Sequence, residues 1–201
     1  LQPSDLVDMA VEFEDAWARL EDRGLEWLLV FGAELSDAQI DIFGEKLNDQ
    51  QTEYEEEYLT RDDVEYRQDS YDAMADSFGD YLGRLSNEQK QILRSASEQL
   101  LRSDRIWLQE RAQWLGKLEV LLLREPGWQQ RIRDILRARE QINSLEYQRI
   151  YGHNTRAIQA AMVAVLNDRT DKQNRRLRKK IQYIQEDLET LIEQGRKAQA
   201  G

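Results

Sequence analysis

The chain has 201 residues and a formal net charge of −11, with 40% hydrophobic and 33% charged residues, two prolines and no cysteine. Its length favours one domain, and its composition suits long amphipathic helices better than a sheet protein with frequent turns. The missing thiols remove disulfides, thiolate metal sites and cysteine nucleophiles together, and the longest uncharged apolar stretch, Trp27 to Ala33, is far short of the roughly 20 residues that span a bilayer.

Charge is unevenly spread. Residues 1–80 hold 24 acidic and 5 basic side chains, and the rest of the chain holds 15 and 23. Overall acidity repels nucleic acid and anionic head groups at long range, which disfavours both as partners.

In chain order, Leu6, Phe13, Trp17 and Leu20 outline a first helix, and Gly24 and Gly32 bracket the apolar piece Trp27–Phe31. Ser36-Asp37-Ala38-Gln39 has capping-box spacing, as do Ser86-Asn87-Glu88-Gln89 and Thr170-Asp171-Lys172-Gln173: the hydroxyl accepts from the N3 amide and the glutamine reaches back to the cap. After the first box, Ile40, Phe43, Leu47, Tyr54 and Tyr58 share a helical face to about Leu59. Val64, Tyr71, Met74, Phe78 and Leu82 continue the rhythm from about Thr60 to Gly83, a suitable helix end, and the two helices are expected to form a hairpin. From Ser86, the pattern Leu93, Ala96, Leu100, Trp107, Trp114, Leu118, Leu121 runs without a breaker to Glu125-Pro126-Gly127, where a turn is enforced. That run predicts one helix longer than thirty residues. Trp128, Ile132, Ile135, Leu136 and Ile142 form a shorter helix, and Ser144 caps another carrying Tyr147, Tyr151, Ile158, Met162 and Val165. Leu177, Ile181, Ile184, Leu188 and Leu191 alternate spacings of four and three, a coiled-coil seam that needs a neighbour. The fold class is all-α, with seven or eight helices in an elongated antiparallel bundle of hairpins.

The boxes Leu35-Ser36-Asp37-Ala38-Gln39 and Leu85-Ser86-Asn87-Glu88-Gln89, with Asn48, Glu56-Glu57-Tyr58-Leu59, Trp107, Arg111 and Trp114, resemble the bacterial lipoprotein family called domain of unknown function 6279, from about Trp27 to the C-terminus. The resemblance implies an all-α fold and an envelope location but carries over no catalytic residue. It also implies that residues 1–201 are a single domain forming the C-terminal portion of a longer exported precursor, periplasmic and lipid-anchored, with the anchor outside this sequence. The paired boxes are also similar to those of the periplasmic helical chaperones of the Spy and CpxP type. Those chaperones are shorter and present a basic, methionine-rich concave face, whereas this chain is acidic and holds three methionines.

His153 is the only histidine, so a His–His metal pair is out of reach of one chain; a packed or exposed helix residue is its favoured reading, and a polar binding surface with Asn154 and Arg156 beside it is the other. Glu53, Glu55, Glu56 and Glu57 lack the alternating spacing of a calcium loop and read as a solvated face. Arg175, Arg176, Arg178, Lys179 and Lys180 form a basic stripe on one helix face. Without a phosphate loop or aromatic platform beside it, the stripe is expected to face the acidic N-terminal helices or a partner. Trp107 and Trp114 read as core. Tyr54–Tyr58 and Tyr147–Tyr151 are i,i+4 pairs for which core packing is favoured and groove lining is the other reading. The expected interaction surface is Tyr54, Tyr58, Arg175, Arg176, Lys179 and Lys180. The expected function is a non-enzymatic envelope protein that binds another protein, with no cofactor or metal, and the alternative is a holdase for unfolded clients.

Overall fold

The capping boxes and breakers divide the chain much as their chemistry demands. In the computed structural model the backbone is described for residues 3–200 and the side chains for 17–138 and 143–197, and this part is eight α-helices without a strand. They are α1 (Pro3–Glu34), α2 (Asp37–Tyr58), α3 (Asp63–Leu82), α4 (Asn87–Gln99), α5 (Asp104–Leu122), α6 (Trp128–Ile142), α7 (Leu145–Asn167) and α8 (Asp171–Ala200). The side chains of Leu6, Phe13 and Ile142 lie outside the described residues.

All three hydroxyl boxes form. The Gln39, Gln89 and Gln173 amides donate to Ser36, Ser86 and Thr170 Oγ at 3.3, 3.1 and 3.3 Å, and each glutamine carbonyl accepts from its cap's N–H at 2.9, 3.0 and 2.9 Å. Ser144 caps α7 by accepting from Tyr147 N–H. At α3, which starts close to the expected Thr60, the cap is Asp62, boxed with Glu65. The Thr60 hydroxyl is spent on the Glu56 carbonyl, 2.9 Å away. The two amides that Asp62 accepts hold its carboxyl below the usual aspartate range. Gly83 closes α3 at φ +80° and Gly127 opens α6 at φ +86°, a left-handed geometry that glycine adopts without penalty.

The single helix of more than thirty residues expected from Ser86 is two helices. α4 ends at Gln99, Leu100 is extended at ψ 134°, and α5 starts at Asp104. The side chain of Asn154 on α7 takes both polar groups of Leu101, accepting its N–H at 2.9 Å and donating to its carbonyl at 2.8 Å. Tyr66 Oη donates to the same carbonyl, and His153 Nε2 lies 2.9 Å from the Gln99 carbonyl. These bonds take backbone groups that helix termination leaves free. Asn154→Ala is expected to cost about 2 kcal/mol, because the partly buried Leu101 N–H loses its partner and the Leu101 carbonyl keeps only Tyr66; denaturant unfolding measures it.

The α2–α3 hairpin is also absent. α2 packs on α5, whereas α3 packs on α4 and α8. The reason lies in where the apolar faces go: Tyr54 and Tyr58 close on Trp107 of α5, while Tyr71, Met74 and Phe78 turn toward a core with α4 and α7. That core holds Leu82, Leu85, Leu93, Ala96, Ala161 and Val165, with Leu177 of α8 against it. A second core joins Leu29 of α1, Leu121 of α5 and Ile132 of α6, with Trp128 packed against it. The expected bundle is thus all-helical, with α5 contributing to the second core and also packing against α7.

Candidate binding cleft

The break between α4 and α5 turns α5 away from α4 and leaves a cleft of about 540 Å³ walled by α3, the start of α5 and α7. That volume suits a small ligand or a few side chains. Its apolar walls are Met74, Trp107, Ile150 and Ile158, with Tyr147 and Tyr151 stacked on each other at 5.9 Å and 9°. Burial pushes the Tyr147 phenol above its ordinary value, with the neighbouring Tyr151 and Glu110 adding to the shift.

The polar end is built around Asp104, which is 5% exposed. Arg61 reaches it with two nitrogens, Nε to Oδ2 at 3.0 Å and Nη2 to Oδ1 at 2.5 Å, and Arg102 Nε meets Oδ2 at 3.0 Å. The Arg61 guanidinium lies 4.8 Å from the ring centre of Tyr58 and 5.0 Å from that of Tyr66, and it also bonds Asp69. The bond to Asp104, followed by that to Asp69, keeps Arg61 more firmly protonated than a free arginine. Arg102 extends the knot by donating to the Tyr58 and Arg61 carbonyls. A bidentate arginine–carboxylate pair fixes direction as well as distance, so this knot sets how the α2–α3 turn meets the α4–α5 break.

Of the residues singled out in the sequence, Tyr54 and Tyr58 are half-buried against Trp107, and Arg111 covers Tyr54 at 5.1 Å. They join α2 to α5 rather than lining the cleft. The other tyrosine pair, Tyr147 and Tyr151, does line it. Arg175, Arg176, Lys179 and Lys180 are exposed on α8, far along the chain from both pairs. α8 packs on the acidic helix α3, with Arg176 beside Gly83 and Lys180 over Tyr81. Among the described residues, however, no carboxylate pairs with the stripe. His153 is half-buried on the Gln99 carbonyl, and Glu53, Glu55, Glu56 and Glu57 are exposed.

Sequence reasoning missed Asp104 and Arg61, whereas Asn154, weighed beside His153 as part of a polar surface, does line the cleft. Ser103-Asp104, a cap residue followed by a first-turn acid, was the available signal for a helix start.

A family model described as a family of unknown function, DUF6279, matches residues 1–148. The chain belongs to this family. The match starts before Trp27 and stops inside α7, so it covers the α1–α6 part of this DUF6279 protein and leaves α8 outside. No curated protein and no solved structure matches the chain, and the likeness to chaperones of the Spy and CpxP type rests on the paired boxes alone.

Proposed function

We propose that this DUF6279 protein is a non-enzymatic binding protein of the bacterial cell envelope, held by a lipid anchor in its full-length form, whose cleft takes an apolar segment of another protein. The observation that carries this reading is the cleft itself. It is open, its walls are largely aromatic and aliphatic, and its polar end is occupied by groups already bonded to each other. Such a surface gains from covering apolar area and uses a few fixed polar groups for orientation. The envelope location is supported by the family likeness. No helix among the described residues is long and apolar enough to cross a membrane.

A photo-crosslinking side chain at Ile158, which is 37% exposed at the cleft, tests the proposal in the native cell. One dominant captured protein is expected. A specific observation favours the holdase as second reading: Trp27, Val30 and Phe31 of α1 are exposed, with Trp27 and Phe31 stacked at 5.5 Å, so apolar surface is offered beyond the cleft. A holdase yields a broad spread of captured clients and suppresses their aggregation near stoichiometric ratios; without suppression that second reading falls.

A further inference from the structure

α8 leaves the body of the protein with its apolar seam uncovered. Its first turns are docked, with Gln173 buried and Leu177 on the first core. Beyond them Ile181, Ile184, Leu188 and Leu191 are 46, 43, 53 and 62% exposed. Four aliphatic side chains in a strict three-and-four alternation are the a and d positions of a coiled coil, and a helix carrying them in water gains by burying them against another.

The charges beside the seam specify which helix. Residues 172–180 carry Lys172, Arg175, Arg176, Arg178, Lys179 and Lys180 and no acid, whereas residues 181–193 carry Glu186, Asp187, Glu189 and Glu193 and no base. A parallel copy would set like charges side by side; an antiparallel copy sets the basic half on the acidic half. From this charge complementarity we infer that α8 pairs antiparallel with α8 of a second copy, forming a two-fold symmetric dimer. Lys180 and Asp187 are seven residues apart and flank the same side of the seam. When Ile181 packs against Ile184 of the second copy, Lys180 of each chain falls beside Asp187 of the other, twice by symmetry. The pairing also gives Lys180 a carboxylate partner, which none of the described residues of its own chain supplies. It is independent of the cleft, which shares no lining residue with the seam.

Sedimentation velocity on the intact chain across the micromolar range at low salt tests the inference. The unmodified chain is expected to be a dimer and Ile184→Glu a monomer with an unchanged melting temperature, since Ile184 lies outside both cores. Lys180→Asp and Asp187→Lys alone should each weaken association about tenfold, by removing two ion pairs and creating two repulsions. The double exchange, Lys180→Asp with Asp187→Lys, should restore it. A monomeric unmodified chain, an Ile184→Glu variant that still dimerises, or a double exchange no tighter than the single ones overturns the pairing. So does an unmodified chain that stays monomeric and sediments instead with phosphatidylglycerol vesicles, which would assign the helix to a membrane surface.

Discussion

Asp104→Ala is expected to lower the unfolding free energy by about 3 kcal/mol, or a melting point about 6–12 °C lower for a chain of this size. Its carboxylate is 5% exposed and carries three arginine contacts. Removing it leaves Arg61 between the rings of Tyr58 and Tyr66 with Asp69 as its remaining acid partner. Stranding a partly buried guanidinium costs far more than losing a surface pair, because its hydration is not regained. The double variant Arg61→Met with Asp104→Leu should recover part of the loss, since the cost lies in the unpaired charge rather than in the absence of the pair. Equal loss in the single and double variants would contradict this account of the knot.

Gln89→Leu is expected to cost about 3 kcal/mol, against about 1 kcal/mol for Ser86→Ala, which removes only the cap hydroxyl. Gln89 is fully buried. Its Oε1 accepts the Ser86 N–H and, at 2.9 Å, Gln173 Nε2; its own Nε2 donates to Gln173 Oε1 at 3.1 Å. Gln173 in turn donates to the Arg84 carbonyl. Two capping boxes 84 residues apart in the chain are thus locked to each other through their glutamines. Leucine matches the volume but leaves the Ser86 amide without its glutamine acceptor and takes one bond from each polar atom of the Gln173 side chain in a buried site, and each such loss costs about 1–3 kcal/mol. Chemical denaturation of both variants separates the cap from the lock, and a Gln89→Leu loss no larger than that of Ser86→Ala would show the lock to be idle.

Those boxes mark the boundary of what the sequence makes legible. A capping box is a local pattern, so Ser36, Ser86 and Thr170 could be read directly, as could Ser144 and the turn at Gly127. That the glutamines of two boxes would meet could not be read, because spacing along one helix says nothing about its neighbour. The break at residues 100–103 escaped for the same reason. The apolar period passes through Leu100 and Trp107 without interruption, and the residues that hold the break open, Tyr66 and Asn154, come from other helices. The expected α2–α3 hairpin is replaced by other pairings, because the faces of those helices bury against α5 and α4. Membership of the DUF6279 family was legible from the ordered weak motifs, although the matched span is 1–148 rather than Trp27 to the end.

The candidate site was legible only in fragments. The tyrosine pairs were visible as i,i+4 neighbours, and period alone could not tell that Tyr147 and Tyr151 would face a cleft while Tyr54 and Tyr58 packed on Trp107. The exposed basic stripe and the α8 seam were both apparent, since amphipathic faces are local. The cleft itself joins residues from 61 to 158 and exists only because α5 turns away from α4.

The most direct test of the cleft fills it. Thr155, on the cleft wall, is replaced by tryptophan in a chain carrying the photo-crosslinker at the cleft position Ile158, and capture is compared in the native cell with that of the same chain carrying threonine. If the cleft takes an apolar segment of a protein partner, the dominant crosslinked species disappears in the Thr155→Trp chain while its melting temperature is kept. Undiminished capture of the same species by a folded Thr155→Trp chain would contradict the account.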